Sequence, residues 1–263
     1  MRGGAKCEPS IDRAARAGSV RVEPFDCLAG AQDKLPAFAG SRDTAKAHTN
    51  DRHLDFARSE RDLDRDNRFR RLVHRADWDA LPADIRRRFS RHLSGTAVAT
   101  YSGEIVWTRL SRAGWLLAQL CRLIGAPLPT RASGPAPAAV AVSEDRTSGG
   151  QCWTRVYGRA HGHPQVIHSA KGFAGPTGLE EHIGGGFGMA LAVRAEGDAL
   201  IFSSDHYFWQ HAKLRLRLPR WLAPGATTVT HQHLGSGRFA FDLKVTHPLF
   251  GELLNQHGLF RDA

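Results

Sequence analysis

The chain has 263 residues, 41% of them hydrophobic, which is enough to bury a sizeable core without staples and excludes a wholly disordered protein. Its four cysteines, Cys7, Cys27, Cys121 and Cys152, form no C-x-x-C pair; this argues against a zinc knuckle or disulfide framework and fits a reducing, cytoplasmic compartment. The net charge of +10 divides unevenly, +1 over residues 1–68 and +9 over 69–263, so the field belongs to the folding part and favours anionic partners. Because 30 of the 36 basic residues are Arg, basic drift in a GC-rich genome would give the same excess.

Residues 1–65 mix Gly, Ala, Arg and Asp with little periodicity, and the first 30 contain no apolar core of a secretory signal. Residues 59–68 are almost wholly charged, too polar to offset their chain entropy. The expectation is a disordered charged arm over 1–65 and a single β-rich domain over 66–263. Phe69, Leu72 and Val73 recur at helical spacing. A second short helix follows, capped by Asp77 or Asp79, with Leu81, Ile85 and Phe89 on one face and Gly95 beyond its end.

The period then changes. Residues 96–108, rich in Val, Thr, Tyr and Ile, predict a strand bulged at Gly103. Residues 114–124 form a short apolar helix stopped by Gly125, Pro127 and Pro129; it is far short of the ~20 residues of a membrane span. A loop covers 131–138. Beyond it an antiparallel meander is expected, with strands at 140–144, 151–157, 165–173, 179–183, 187–195 and 200–209. Its turns are His161-Gly162-His163-Pro164, Gly175 to Gly178, Gly184-Gly185-Gly186 and Glu196-Gly197-Asp198. Two later strands alternate strictly. Leu214, Leu216 and Leu218 oppose Lys213, Arg215 and Arg217, and Phe239, Phe241, Leu243 and Val245 oppose Ala240, Asp242 and Lys244, each pattern implying one buried and one wet face. Seven or more such strands must curl to hide their edges, so the fold expected is mainly antiparallel β (α+β), a strongly curved sheet or half-barrel with two or three short helices. The helix at 114–124 would cover its opening or lie in its concavity.

Several motifs carry chemistry, each against a plainer alternative. Gly184-Gly185-Gly186-Phe187-Gly188 lacks the spacing of a phosphate loop and reads as a wide turn. The i, i+2 pairs His161/His163, His231/His233 and Glu180/His182 share strand faces, but the first rides an exposed turn and the second fits a solvent face, so no metal site is predicted. The segment Ser203 to Trp209 offers an acid/base pair, Asp205 or His206, without a triad around it; a cross-strand aromatic cluster is the plainer reading. The repeated Trp107-Thr108-Arg109 and Trp153-Thr154-Arg155 place an indole and a guanidinium on one face, where they stack; facing inward the arginines meet an acidic headgroup, and facing outward, the plainer reading, they serve surface solubility. The stripe Lys213, Arg215, Arg217 and Arg220 beside Trp221 suits an anionic membrane surface, with a solvated sheet face as the plainer reading; with so little aromatic interleaving, nucleic acid is disfavoured.

The runs Leu218-Pro219-Arg220-Trp221, Gly237-Arg238-Phe239-Ala240-Phe241, His247-Pro248-Leu249-Phe250-Gly251 and Gly258-Leu259-Phe260, with Phe69-Arg70-Arg71-Leu72, Trp78-Asp79-Ala80-Leu81-Pro82 and Cys152-Trp153-Thr154-Arg155 upstream, resemble an uncharacterised bacterial family, the domain of unknown function numbered forty-one sixty-six. The resemblance spans about residues 69–263 and implies a fold more than a chemistry. It brings no catalytic residues, and its occurrence beside saccharopine-dehydrogenase-like reductases implies a possible reductase partner.

The functional expectation is a module that binds a small amphipathic or acidic ligand in its concave face through Arg109, Arg155, Trp107, Trp153 and Tyr207, without cofactor. The alternatives are an enzyme built on Glu180, His182, Asp205 and His206, and a peripheral module docking on anionic membrane through Arg215, Arg217, Arg220 and Trp221.

Overall fold

A computed structural model describes residues 66–125 and 127–262; the predicted arm at 1–65 lies outside the described residues. A 3-10 turn (Arg70–Leu72) leads into two short helices, α1 (Arg75–Ala80) and α2 (Ala83–Phe89). After β1 (Val98–Leu110) come α3 (Arg112–Leu120) and a 3-10 turn (Cys121–Ile124). The strands β2 (Ala136–Asp145), β3 (Gly150–Tyr157), β4 (Gln165–Gly172), β5 (Glu180–Gly184), β6 (Phe187–Glu196) and β7 (Ala199–His211) follow. The last four are β8 (Leu214–Arg217), β9 (Ala226–His233), β10 (Arg238–His247) and β11 (Gly251–Asp262).

Every pairing is antiparallel, and β1 to β7 each pair with the next strand. Beyond β7 the sheet continues through β9, β10 and β11, and β11 returns to pair with β1 from Tyr101–Asp262 to Leu110–Leu254. The result is a closed up-and-down barrel of ten strands, with β8 attached outside the ring along the second half of β7. The expected half-barrel is therefore corrected to a full one. Two strands, β9 and β11, supply the closure. β11 hides from a hydrophobic reading because Asn255, Gln256 and His257 interrupt it, yet a seam strand is held by backbone bonds to both neighbours whatever its side chains.

Other boundaries move for local reasons. Asp77 and Asp79 lie within α1, whose N-cap is His74, so neither caps a second helix. The loop expected at 131–138 ends at Ala136, where the closing sheet recruits Ala136 and Pro137 to pair with Ile105 and Glu104. Gly103 stays in register opposite Phe260; the bulge falls between Ile105 and Trp107 instead. The strict alternation at 213–218 misleads, since Leu214 and Leu216 are 54% and 49% exposed and nothing lies over them.

The apolar side chains fill the barrel and both its ends. Phe69, Trp78, Leu81, Ile85 and Phe89 from the N-terminal turn and helices plug one end against Leu179, Leu191, Leu200 and Phe202. Inside, Tyr101, Ile105, Phe239 and Phe260 pack together. At the other end α3 presses so closely on β11 that a Cβ on Gly114 would stand 1.8 Å from the Leu253 carbonyl oxygen. Exposed charges such as Glu104, Arg109, Arg194 and Lys244 point outward, the inverse of the arrangement in a membrane-spanning barrel. Among the described residues no helix is long and apolar enough to cross a membrane.

Candidate functional site

Inward parity on β3, β4 and β5 converges on the middle of the lumen. Gln151, Trp153, Arg155 and Tyr157 alternate inward along β3, Ile167, Ser169 and Lys171 along β4, and Glu181 comes from β5. The Lys171 ammonium donates to Glu181 Oε2 at 2.8 Å, Ser169 Oγ to Oε1 at 2.6 Å, and Arg155 to Oε1 at 3.4 Å and to Ser169 Oγ at 3.0 Å. Lys171 also lies 5.0 Å over the Trp153 ring. Side-chain exposures of 7–13% for the three charged groups make this a buried ionic cluster with one positive charge in excess.

Its protonation follows from its neighbours. Burial by itself would raise the Glu181 carboxyl, but Lys171, Arg155 and the hydrogen bonds from Lys171 and Ser169 together hold it down at about 2. Burial pulls the Lys171 ammonium below its ordinary value, and Glu181 opposes that pull. Nearby, Tyr207 shares a 2.5 Å hydrogen bond with Thr227, and burial pushes its phenol up to about 12, so it is a hydroxyl at neutral pH.

Three small cavities border this cluster, and Arg155 and Phe241 touch all of them. The largest, about 80 Å³, runs from Arg155, Ser169 and Glu181 past Tyr207 to Cys121 and Leu128 at the α3 end. The other two measure about 30 and 20 Å³ and continue toward Trp153 and His231. The cover at the α3 end is pinned by Gln165, whose amide donates to the Leu128 carbonyl at 2.9 Å. It is pinned also at Gly184, φ +112°, which lies so close to the Ile124 carbonyl oxygen that a Cβ would meet it at 2.0 Å. The triple glycine is thus a turn moulded to this cover.

The predicted ligand residues divide. Trp153, Arg155 and Tyr207 border the lumen. The bulge after Ile105 turns Trp107 and Arg109 outward, where Arg109 stacks 4.8 Å over Trp107, which itself stacks on His257. Lys171, Glu181 and Ser169 are the central groups that a reading of the strands passed over. His231 does not line a solvent face: it is buried, stacked on Phe239 and 3.0 Å from Arg88, and burial followed by the Arg88 charge holds it well below its ordinary value.

Glu180, His182, Asp205 and His206 all lie on the outer wall. Glu180 is gripped by both terminal nitrogens of Arg215, at 2.6 and 3.1 Å, and Arg215 stacks 3.6 Å over Phe208. Arg215 is therefore neutralised, and of the expected anion-facing stripe Arg217, Arg220 and Trp221 stand exposed. Neighbours along a regular strand diverge, yet Asp205 and His206 meet at 2.6 Å because β7 carries a bulge there, two residues facing the single step from Ala190 to Leu191. The hydrogen bond from His206 lowers the Asp205 carboxyl. Such a pair can orient an imidazole. Glu180 and His206 occupy one row with Ala190 between them, two strand spacings or about 10 Å apart. Among the described residues no cluster of three or more metal-ligating side chains occurs.

Fold and site together define a closed antiparallel β-barrel with an apolar lumen around a buried ionic centre. The chain belongs to the family described as "Domain of unknown function (DUF4166)", whose model matches residues 81–260. No curated protein and no solved structure matches it.

Proposed function

We propose that this barrel binds a small amphipathic organic acid, its anionic head at Arg155 and its apolar tail toward Met189, Val229 and Phe241. The observation that carries the reading is the lumen's uncompensated positive charge beside a mostly apolar cavity. A buried guanidinium whose carboxylate partner is shared with Lys171 keeps donor capacity for a second anion, and Tyr207 stands by as a further donor. Volume sets the ligand's size. At about 10–15 Å³ for each water-sized position, a cavity of about 80 Å³ takes about five to eight non-hydrogen atoms. That is the scale of a short-chain carboxylate and well below a long-chain fatty acid.

Isothermal titration of the full chain with valerate, against pentanol and valeramide, tests this. Valerate is expected to bind, with the neutral analogues at least tenfold weaker. Arg155→Lys, which keeps the charge but loses the two-pronged grip, should weaken valerate about tenfold. Equal binding of acid and amide, or no heat with any of the three, refutes the assignment.

A further inference from the structure

Apolar side chains are unevenly distributed over the outside of the barrel. α3 and the turn after it are apolar on two opposite sides. Ala113, Leu117, Ala118 and Cys121 face the barrel, while Trp115, Leu116, Leu120 and Leu123 face solvent, with exposures of 53–86%. A helix apolar all round is normally covered all round. Two other segments reach the same end. The β10–β11 turn, at the end of the sheet where α3 meets Leu253, presents Leu249 and Phe250 at 78% and 64% exposure. The segment after β8 presents Trp221 and Leu222 at 74% and 57%, and its Gly225 touches Thr246 and His247 beside that turn.

Charge is sorted in the same direction. No Asp or Glu occurs from residue 105 to 143 or from 206 to 241, the stretches that hold α3, its cover and the approach to Trp221. Arg112, Arg122, Lys213 and Arg220 stand exposed among these apolar groups. Glu252 is the acid beside the β10–β11 turn, and Lys244 engages it at 3.4 Å. Exposed Trp, Leu and Phe set among cations form the composition that enters the interface of a bilayer carrying anionic lipids.

We propose that the α3 end of the barrel docks on an anionic bilayer, with Trp115, Leu123, Trp221 and Leu249 entering the headgroup region and Arg122 and Arg220 meeting phosphates. The inference stands apart from the ligand reading, although the cavity of about 80 Å³ beside the ionic cluster reaches the cover at the same end.

The test is co-sedimentation of the full chain with vesicles of pure phosphatidylglycerol and of pure phosphatidylcholine, with tryptophan emission followed in parallel. Binding to the anionic vesicles with a blue shift is expected, the shift being lost in Trp115→Phe/Trp221→Phe. Each buried leucine contributes about tenfold to partitioning, so Leu123→Asp/Leu249→Asp should abolish sedimentation at lipid concentrations that bind the parent chain. Arg146→Gln/Arg238→Gln removes the same net charge from the opposite end and should change binding less than about threefold, since each distant cation lies beyond a Debye length. Equal losses in the two double variants would mean attraction of a basic chain as a whole and would overturn the proposal. So would absence of binding at low salt together with a concentration-dependent dimer abolished by Leu123→Asp, which would make this end a protein interface.

Discussion

Replacing Glu181 with Gln should be among the most destabilising single changes in the lumen, and the size follows from the distances. Lys171 and Arg155 stand 2.8 and 3.4 Å from the Glu181 carboxylate. At an effective dielectric constant of about 20 these contacts are worth about 6 and 5 kcal/mol before desolvation is subtracted. Glu181→Gln leaves two cations facing one another in a closed barrel, and breaking a buried pair in this way costs about 3–5 kcal/mol. Lys171→Met is milder, about 1–3 kcal/mol, because Arg155 and Ser169 still serve the carboxylate. The double variant restores the original excess of one positive charge and keeps a hydrogen-bond acceptor for Arg155, so it should cost less than Glu181→Gln alone. Urea unfolding of the four proteins gives the coupling, expected at about 2 kcal/mol or more, and melting should show Glu181→Gln lowered by roughly 6–20 °C for a domain of this size. Additive losses, or a cost below about 1 kcal/mol for Glu181→Gln, would show that water reaches the cluster and that the lumen is not the low-dielectric site described.

The barrel should also be acid-labile in two stages. His231 is held neutral below its ordinary value, so as pH falls through about 6.5 the unfolded chain takes up a proton that the folded one refuses. Stability is complete above that pH and declines below it by up to about 1.4 kcal/mol per unit, and His231→Phe should flatten this slope in urea titrations between about pH 6.5 and 5. A second loss, as pH falls from 4.5 toward 2 and Glu181 is protonated, should disappear in the Lys171→Met/Glu181→Gln protein. Gly114→Ala should destabilise by about 1–3 kcal/mol, since its methyl would meet the Leu253 carbonyl; equal melting temperatures would show that α3 can shift off β11. Arg215→Met should cost about 2 kcal/mol by stranding the buried Glu180 carboxylate, and Arg215→Lys about half of that, both read by chemical denaturation.

The legible part of the fold was the part written in turn chemistry and in covered faces. Glu196-Gly197-Asp198 does join β6 to β7, and Phe239, Phe241, Leu243 and Val245 do line the lumen. β8 shows the limit of such reasoning, because alternation signals a buried face only where another element lies over it, and nothing covers Leu214 and Leu216. Closure depended on β11, whose buried Gln256 donates its side-chain NH2 to Thr108 Oγ1 across the seam, a contact no local pattern announces. Among site residues, parity set Trp153 and Arg155 on one face and left open whether that face is inner or outer. Lys171 and Glu181 escaped notice, because a charged residue in a strand is ordinarily assigned to the wet face. The available signal was again parity: Lys171 continues the steps of Ile167 and Ser169, and Glu181 sits between Leu179 and Ile183. The bulges at β1 and β7, which expel Trp107 and bring Asp205 to His206, depend on pairing partners and leave no mark in the local sequence.

Joining β1 directly to β11 also has a consequence for how the protein is made. The hydrogen bond between Gln256 and Thr108 links positions 148 apart in sequence. During synthesis, the chain as far as β10 has two open flanks, one on β1 and one on β10, each able to add a strand from another nascent copy. The ring can shut only when the residues of β11 have left the ribosome, so the interval before their emergence is when misassembly competes with folding. Slow translation just upstream of β11 would lengthen that interval, and overproduction, which crowds nascent copies together, would make it most costly.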